Sequence, residues 1–456
     1  MIAQLRDMYA SMPLWMKRIV RVVPFGYRLG SKFRSTLAFL RESDRWSTEQ
    51  LRTYQADQLK QLLEPAINHV PYYSRYRKYL SRSPYDILRE IEPITKAEVQ
   101  KDLDLFVLPE HLRAPHHVSY TGGSSGKPLK IHQNNDALEI EWAFMIAQWM
   151  RAGFRPGDRR AAFRGVEFRG SNTGIMRENP IYDEILLSPF DLTENALAEY
   201  VDAIIKFEPG FIRGYPSAIS VLARYVVDND ILSIRNIRGI LCGSEGLLEG
   251  QRELIESTFN ARVYSWYGMS EKVVLAGECE TSQVYHAFPQ YGVTEVIDSN
   301  GNVTTEPGSE GEIVGTGFLN RVMPFIRYRL DDSARIVGRT CSVCGRNHLL
   351  LDDVVGHRVQ DTIVGKSGSR ISMTAINMHD GTFAGVRQFQ FQQSRRGEVT
   401  LLLKVSRDFT DERRNLILKS LKRKTRDDID YDIRLVDSID VSGMGKGVYL
   451  KQELGS

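Results

Sequence analysis

The sequence has no run of apolar residues long enough to cross a bilayer. It also has little excess charge, with a formal net charge of +3 over 456 residues, so charge does not indicate a nucleic-acid partner. The first residues carry Arg6 and Asp7 before a weakly apolar stretch and lack the features of a signal peptide. We therefore expect a cytoplasmic protein that binds no nucleic acid.

Cysteine is scarce, and with four residues and no secretory features a disulfide framework is not expected. Cys341 and Cys344 form a CxxC motif followed by glycine, which can present two thiolates to one ion. Cys279 and His286 could complete a tetrahedral site. Four protein ligands would leave no open position for catalysis, so a zinc ion held there would be structural; the alternative is a pair of reduced cysteines in a turn. Cys242 is expected to be buried and inert.

The composition, with 42% hydrophobic and 26% charged residues, is that of a globular protein. The chain is long enough for two or three domains. Residues 1–41 are basic and amphipathic, because a single acid, Asp7, faces eight basic residues interleaved with apolar ones such as Trp15 and Ile19. Such a segment could make weak peripheral contact with an anionic membrane. We favour a solvated helix that covers the main domain.

The apolar pattern indicates an α/β protein. Residues 46–80 are predicted to be helical, with a cap at Ser47 and breaks at Pro65 and Pro71. Residues 159–262 alternate short apolar runs with helical spans, which favours βαβ units and a mostly parallel sheet. Residues 362–456 read as two paired strands, an amphipathic helix and a third strand, typical of a small α+β domain.

The stretch Tyr120–Lys130, YTGGSSGKPLK, has the composition of a phosphate-binding loop, because its backbone N–H groups can turn toward an anion near hydroxyls and an ammonium. It is not a Walker P-loop, since Lys127 follows Gly126 directly and Pro128 stands where Ser or Thr is required. From composition alone, a surface connection is the alternative.

Five further segments carry possible chemistry. GSEG at 243–246 and WYGMSE at 266–271 follow predicted strands, where ligands of parallel sheets bind. In the second, an aromatic ring can stack on a base, Ser270 can bond a phosphate and Glu271 can hold a divalent cation. Paired acids end RYRLDD at 327–332, and GHRVQD and GMGKG follow near the C-terminus.

Taken in order, these motifs resemble the adenylate-forming superfamily of acyl-CoA ligases, most closely the phenylacetate-CoA ligase branch and its CapK-like relatives. The resemblance implies a large adenylation domain with mostly parallel sheets and a small, mobile C-terminal α+β lid domain. The implied divisions are a basic segment at 1–45, the large domain at 46–357 with a zinc-binding insertion around 279–344, and the lid at 358–456.

The resemblance also assigns residues. Lys446 corresponds to the mobile catalytic lysine, Glu271 to the catalytic carboxylate that holds magnesium, and Asp361 to the hinge. Tyr215 and Pro216 are expected to border the acyl pocket. The implied nucleotide-binding residues are Thr121, Gly122, Gly123, Ser124, Ser125, Gly126, Lys127, Ser244, Glu245, Trp266, Tyr267, Gly268, Ser270, Asp332 and Arg358.

The sequence departs from the family pattern in three places. Ser125 stands where Thr is usual and keeps the hydroxyl, and His357 is inserted after the hinge glycine. Asp331 occupies a position commonly given to glycine, so whether Asp331 or Asp332 bonds the ribose stays open.

The implied reaction joins a carboxylic acid to ATP with Mg²⁺, releases pyrophosphate and passes the acyl group to CoA. Transfer to an amine or a hydroxyl in surface-polysaccharide assembly is an alternative that the CapK-like resemblance suggests. A non-catalytic nucleotide-binding scaffold is a further alternative, although Glu271, Asp361 and Lys446 would then serve no purpose together.

Overall fold

The computed structural model describes residues 12–121, 128–165, 174–356, 362–376, 382–406, 409–439 and 450–454. The α-helices are α1 (Leu14–Ile19), α2 (Phe25–Arg28), α3 (Ser31–Ser43), α4 (Thr48–His69), α5 (Pro84–Glu90), α6 (Lys96–Lys101), α7 (Ala137–Met150), α8 (Glu194–Phe207), α9 (Pro216–Asp228), α10 (Gln251–Phe259), α11 (Met373–Ile376) and α12 (Asp411–Thr425). Short 3₁₀ helices lie at Val20–Val22, Pro71–Tyr79, Leu103–Phe106, Glu110–Leu112 and Pro180–Tyr182. Of the helices in these ranges, none is long and apolar enough to cross a membrane.

The strands of the large domain are β1 (His116–Tyr120), β2 (Lys130–Asn134), β3 (Arg160–Phe163), β4 (Met176–Asn179), β5 (Glu184–Leu187), β6 (Phe211–Gly214), β7 (Gly239–Gly243), β8 (Val263–Gly268), β9 (Leu275–Gly277), β10 (Tyr285–Ala287), β11 (Gly292–Ile297), β12 (Val303–Thr304), β13 (Glu310–Gly317), β14 (Tyr328–Gly338) and β15 (Leu349–Val355). The remaining strands are β16 (Thr362–Val364), β17 (Arg370–Ser372), β18 (Val386–Arg395), β19 (Glu398–Val405), β20 (Asp430–Leu435) and β21 (Leu450–Gln452).

Among the described residues, thirteen strands form one mixed sheet in the order β12-β11-β13-β14-β15-β10-β9-β8-β7-β6-β3-β5-β4. Strands β5, β3, β6, β7 and β8 are parallel neighbours, as the alternation of apolar runs and helices predicts. Residues of α8, α9 and α10 form a buried cluster with apolar side chains from β3, β6 and β7. Helices α3 and α7 contribute to a second cluster with Phe211 of β6, Leu241 of β7 and Tyr264 of β8.

The prediction of mostly parallel sheets is correct for the strands β5, β3, β6, β7 and β8. It is wrong for the rest of the large sheet. From β8 through β12 every neighbouring pair is antiparallel. Parallel strands need a crossover of about a dozen residues, usually a helix. No helix lies between Leu275 and Val355, a range that the structure describes throughout, so these strands are connected by short turns and antiparallel pairing follows.

Helix α4 begins with the predicted capping box, in which Ser47 Oγ accepts from the Gln50 N–H at 3.2 Å and the Ser47 N–H donates to Gln50 Oε1 at 2.9 Å. The prediction that Pro65 breaks the helix is wrong, because the helix continues to His69. A proline inside a helix costs about 3 kcal/mol. Burial offsets this cost, since the apolar face of α4 lies in the core and each buried leucine contributes about 1.5–3 kcal/mol.

The basic N-terminal segment packs on the large domain. Phe33 of α3 is buried in the cluster formed with α7. Arg28 Nη1 lies 2.6 Å from Asp183 Oδ2, and Arg18 Nε lies 2.8 Å from Glu178 Oε2, so two of the basic side chains are used to attach the segment. Trp15 and Ile19 are exposed among the described residues.

The C-terminal domain has the predicted α+β pattern. A four-stranded sheet has the order β20-β19-β18-β21, and helix α12 packs on it through apolar side chains such as Ile417 and Leu421. The domain contacts the large domain directly, since Phe190, from the loop after β5, belongs to the same buried cluster. Arg426 also pairs with Asp191 at 3.5 Å.

Candidate active site

A cavity of about 370 Å³ lies at the carboxyl ends of β3, β6, β7 and β8, where the sequence predicted ligand binding. Helix α7 and the β1–β2 hairpin supply its other walls. Five of the residues assigned by resemblance line the cavity, namely Tyr215, Ser244, Trp266, Gly268 and Ser270. The fold therefore brings together segments that are up to about 150 residues apart in the chain.

The predicted phosphate loop connects the antiparallel strands β1 and β2. Thr121 is buried and closes the base of the loop, because its N–H donates to the Leu129 carbonyl and its Oγ1 accepts from the Leu129 N–H, both at 2.9 Å. Gln133 lines the cavity, and its Nε2 donates to the Ser270 carbonyl at 2.7 Å, which fixes the hairpin to the WYGMSE motif. The loop residues Gly122, Gly123, Ser124, Ser125, Gly126 and Lys127 lie outside the described residues.

The WYGMSE motif spans the end of β8 and the turn after it. Glu271 is buried and its Oε1 accepts a hydrogen bond from the Tyr328 hydroxyl at 3.2 Å. Burial, reinforced by the negative charge of Glu271, raises the pKa of Tyr328 well above its ordinary value, so the phenol remains a donor. A carboxylate has about four acceptor positions, so this bond leaves oxygen lone pairs suited to a hard cation such as Mg²⁺.

Of the two adjacent acids, Asp332 has a hydrogen bond to the WYGMSE motif. The Tyr267 hydroxyl donates to Asp332 Oδ2 at 2.7 Å, which joins the WYGMSE and RYRLDD motifs. A Cβ added at Gly356, the first residue of the hinge motif, would lie 3.2 Å from Asp332 Oδ1, so the hinge begins beside this carboxylate. Asp331, with φ of +57°, precedes it on β14.

Glu245 does not line the cavity. Its carboxylate accepts from the Ser217 N–H, at the start of α9, at 3.3 Å and from the Ser372 hydroxyl of the C-terminal domain. Pro216 is buried as the first residue of α9, and Tyr215 accepts at its hydroxyl from the Gly165 N–H at 3.3 Å. Arg358, Asp361 and Lys446 lie outside the described residues.

Several cavity residues were missed by the sequence reasoning. Trp142 of α7 lines the cavity but was not among the predicted site residues. Glu141 and Lys272 line it as an ion pair, and Arg164 and Arg213 add two further cations. The signal was available in AAFRG and FIRGY, where an arginine ends each of two apolar strands.

The four predicted metal ligands lie close together in the structure. Cys279, His286, Cys341 and Cys344 are all buried, and their ligand atoms lie within 4.8 Å of one another. Cys344 Sγ lies 3.4 Å from His286 Nε2, while His286 Nδ1 contacts the Val284 carbonyl at 2.9 Å. Because that carbonyl can only accept, the proton sits on Nδ1 and Nε2 is left to bind a metal. Three thiolates and one imidazole at these separations fit tetrahedral zinc.

Cys242, by contrast, is buried among apolar side chains of the large domain. Burial raises the pKa of its thiol far above the ordinary value, so it stays protonated and unreactive, as predicted.

The chain has the α/β fold of the adenylate-forming acyl-CoA ligases, with a small C-terminal domain. Two solved structures of 2-hydroxyisobutyryl-CoA ligase show the likeness. One, with 2-hydroxyisobutyryl-AMP and CoA in the thioesterification state, has a TM-score of 0.57 at 18% identity, covering 91% of this chain and 92% of that one. Another, in the postadenylation state, has a TM-score of 0.54 at 18% identity, covering 90% and 91%.

Sequence comparison shows which proteins the chain resembles. Residues 363–453 match the CapK C-terminal domain family. The chain is 24% identical to Protein CapK of Staphylococcus aureus over 343 residues, 74% of this chain and 72% of that protein. It is also 24% identical to phenylacetate-coenzyme A ligase of Thermus thermophilus over 331 residues, 69% and 72%. The resemblance predicted from the sequence motifs is therefore confirmed.

Proposed function

We propose that the protein is an ATP-dependent ligase that converts a carboxylic acid to an acyl adenylate and then transfers the acyl group to an acceptor. The observation that carries this proposal is the convergence on one cavity of the β1–β2 hairpin, whose strands flank the predicted phosphate loop, with residues of the WYGMSE motif and with Tyr215. The fold alone does not assign an activity, but these side chains supply what the reaction needs.

In the first half-reaction, an oxygen of the acid attacks the α-phosphorus of ATP and pyrophosphate leaves. Glu271 would hold Mg²⁺, which neutralises charge on the phosphates. Asp332, oriented by Tyr267, would accept hydrogen bonds from the ribose hydroxyls, and Trp266 would stack on the base. Ser270 would bond a phosphate oxygen.

We assign the remaining polar contacts to segments outside the described residues. The backbone and side chains of 122–127 would hold the β- and γ-phosphates. Lys446 would bridge the carboxylate and the α-phosphate as negative charge develops between them. Arg358 would complete the nucleotide site. These roles come from the motif resemblance.

The C-terminal domain would act as the lid. Its Ser372 bonds Glu245, which in turn holds the start of α9 beside the cavity, so the domain lies against the site. Asp361 would be the pivot that changes this contact between the half-reactions.

CoA is the acceptor we favour, and an amine or a hydroxyl is the alternative. Similarity to phenylacetate-coenzyme A ligases supports the first, whereas similarity to Protein CapK leaves the second open. Acid-dependent AMP release that is accelerated by CoA would support CoA. Adenylate formation that ignores CoA but responds to an amino sugar would support the alternative.

The decisive experiment is pyrophosphate release across aromatic, fatty, amino and sugar acids, with the wild type and Lys446→Ala. We expect release with one acid class and a fall of about 10³-fold in the variant, because a charge-stabilising group aimed at the transition state is worth about 3–4 kcal/mol. ATP binding without release for any acid would instead indicate a nucleotide-binding scaffold.

We also propose that the Cys/His cluster holds a structural zinc ion and that the protein is cytoplasmic.

For the N-terminal segment, the ion pairs of Arg18 and Arg28 support a covering role. Peripheral membrane contact is kept as a hypothesis because Trp15 and Ile19 are exposed. A Trp15→Ser, Ile19→Ser variant that co-sediments with anionic vesicles as strongly as the wild type would rule it out.

A further inference from the structure

The cavity carries more positive charge than its own residues neutralise. Arg164, Arg213 and Lys272 are the cations among its described lining residues, and Glu141 is the acid. Lys272 is paired with Glu141. Neither Arg164 nor Arg213 forms an ion pair with another described residue, so no carboxylate in the described part of the chain lies at ion-pair distance from these two guanidinium groups.

Arg213 lies where such a charge is costly. Its side chain comes from β6 and its Cζ lies 5.2 Å and 4.7 Å from the ring centres of Trp142 and Trp149. Its Nη1 atom is buried without a hydrogen-bond partner among the described residues. Burial, followed by the nearby charge of Arg164, lowers the pKa of Arg213 well below its ordinary value. The guanidinium is therefore destabilised in the absence of an anion.

The neighbouring groups do not remove this cost. Each cation–π contact contributes about 0.5–2 kcal/mol. Removing an ion from water costs several kcal/mol. Glu184, a buried acid whose charge acts on Arg213, already pairs with Arg160 at 2.9 Å, and Nη1 and Nη2 of Arg160 have no hydrogen-bond partner among the described residues. Among these described groups, guanidinium donors therefore outnumber acceptors.

The two arginines stand apart from the predicted nucleotide site. In the sheet, β6 lies two strands from β8, which leads into Glu271, and β3 lies three strands away. At a spacing of about 4.8 Å per strand, these separations are about 10 and 14 Å. Phe163 of β3 and Leu241 of β7 line the cavity, and β7 lies between β6 and β8, so a short carbon skeleton can lie against these apolar side chains.

We propose that Arg213 and Arg164 bind a second anionic group of the substrate, so that the enzyme activates small carboxylic acids that carry a further carboxylate, phosphate or sulfate. This inference rests on the proposed adenylation. The reacting carboxylate lies toward Glu271, the apolar walls cover the carbon chain, and the distal anion receives hydrogen bonds from the two guanidinium groups.

The test compares matched acids that differ only in the second charge: succinate with butyrate, glutarate with pentanoate, and 4-carboxyphenylacetate with phenylacetate. Pyrophosphate release is measured with ATP and Mg²⁺ for the wild type, Arg213→Met, Arg164→Met and the control Arg235→Met, which removes an exposed cation of the same domain. We expect kcat/KM at least 10-fold higher for one or more dianions in the wild type. Each pocket variant should lose 10- to 100-fold on that acid and change less than 3-fold on its monoanionic partner.

Thermal unfolding of the ligand-free protein provides a second readout. Arg213→Met should raise Tm or leave it unchanged, because it removes an unneutralised buried charge. It should also abolish the Tm increase that the preferred dianion gives the wild type. A purely structural arginine would instead show a lower Tm with the dianion preference intact.

Three outcomes would overturn the inference: equal or better activity with monoanions, unchanged dianion preference in both pocket variants, or a KM increase for ATP in place of the acid. The first two leave adenylation itself standing. If no acid supports pyrophosphate release but dianions still raise Tm through Arg213, the anion site stands and the proposed adenylation fails.

Discussion

The Tyr267 hydroxyl donates a 2.7 Å hydrogen bond to Asp332 Oδ2, and these residues are 65 positions apart in the chain. The bond distinguishes two adjacent acids, because it gives Asp332 a contact with the WYGMSE motif. It orients Asp332 from the end of β8, next to the motif that carries Glu271. The position of the proposed ribose contact is thus set by the proposed metal-binding segment.

Asp332→Asn should raise the KM for ATP about 10- to 100-fold, because hydrogen bonds to a charged acceptor contribute about 1.5–3 kcal/mol. Asp331→Asn is the matched control and should change it less than 3-fold, since asparagine tolerates the positive φ at that position. Steady-state pyrophosphate release at varied ATP measures both. A larger effect at Asp331 would show that the assignment to Asp332 is wrong.

The Cys/His cluster should contain about one zinc ion per chain. Cys344→Ser should lose the metal and lower Tm, because the ion cross-links the turn at 341–344 to β10. Cys242→Ala, which lies outside the cluster, should retain zinc. Elemental analysis of the purified proteins measures this, and zinc well below one per chain in the wild type would remove the proposal.

His132 should make the protein sensitive to acid. Burial, followed by the charges of Lys130, His116 and Arg113, lowers its pKa to about 4, whereas Asp104 acts in the opposite direction. Since the unfolded pKa is about 6.5, the unfolded chain takes up the proton first as pH falls. The stabilising contribution is complete above pH 6.5 and is lost as the pH falls to about 4.

The measurement is Tm at pH 7.5, 5.5 and 4.5 for the wild type and His132→Gln. The variant should lose less stability than the wild type between pH 6.5 and 4. His69→Gln, at an exposed position on α4, is the control and should follow the wild type. Identical pH profiles for His132→Gln and the wild type would contradict the prediction.

Ser372→Ala should loosen the contact between the two domains. It removes a hydrogen bond to the Glu245 carboxylate, and a loss of about 1.5–3 kcal/mol shifts a two-state equilibrium about 10-fold or more. Hydrogen exchange should accelerate in β17 and at the start of α9. Ser367→Ala, which loses a bond to Asp428 within the C-terminal domain, should leave α9 unchanged.

Much of the fold could be predicted because its signals are local. The alternation over 159–262 predicted the parallel strands, and the two paired strands, helix and third strand of the C-terminal domain were found in the predicted order. The antiparallel pairing in the other part of the large sheet was not predicted, because no helices separate those strands in the sequence. The helix break at Pro65 was predicted wrongly, because core packing outweighs the local cost of proline in a helix. The periodicity of the sequence does not show how strongly a helix is packed.

The sequence by itself determined which chemistry is available, since motif order, the CxxC spacing and the capping box depend on residues close together in the chain. Only the tertiary structure decided which groups meet. Sheet order and strand register bring Tyr267 to Asp332 and place Arg213 in the cavity wall, and domain packing brings Ser372 to Glu245. These relations depend on the pairing of distant segments, which the spacing of residues along the chain does not encode.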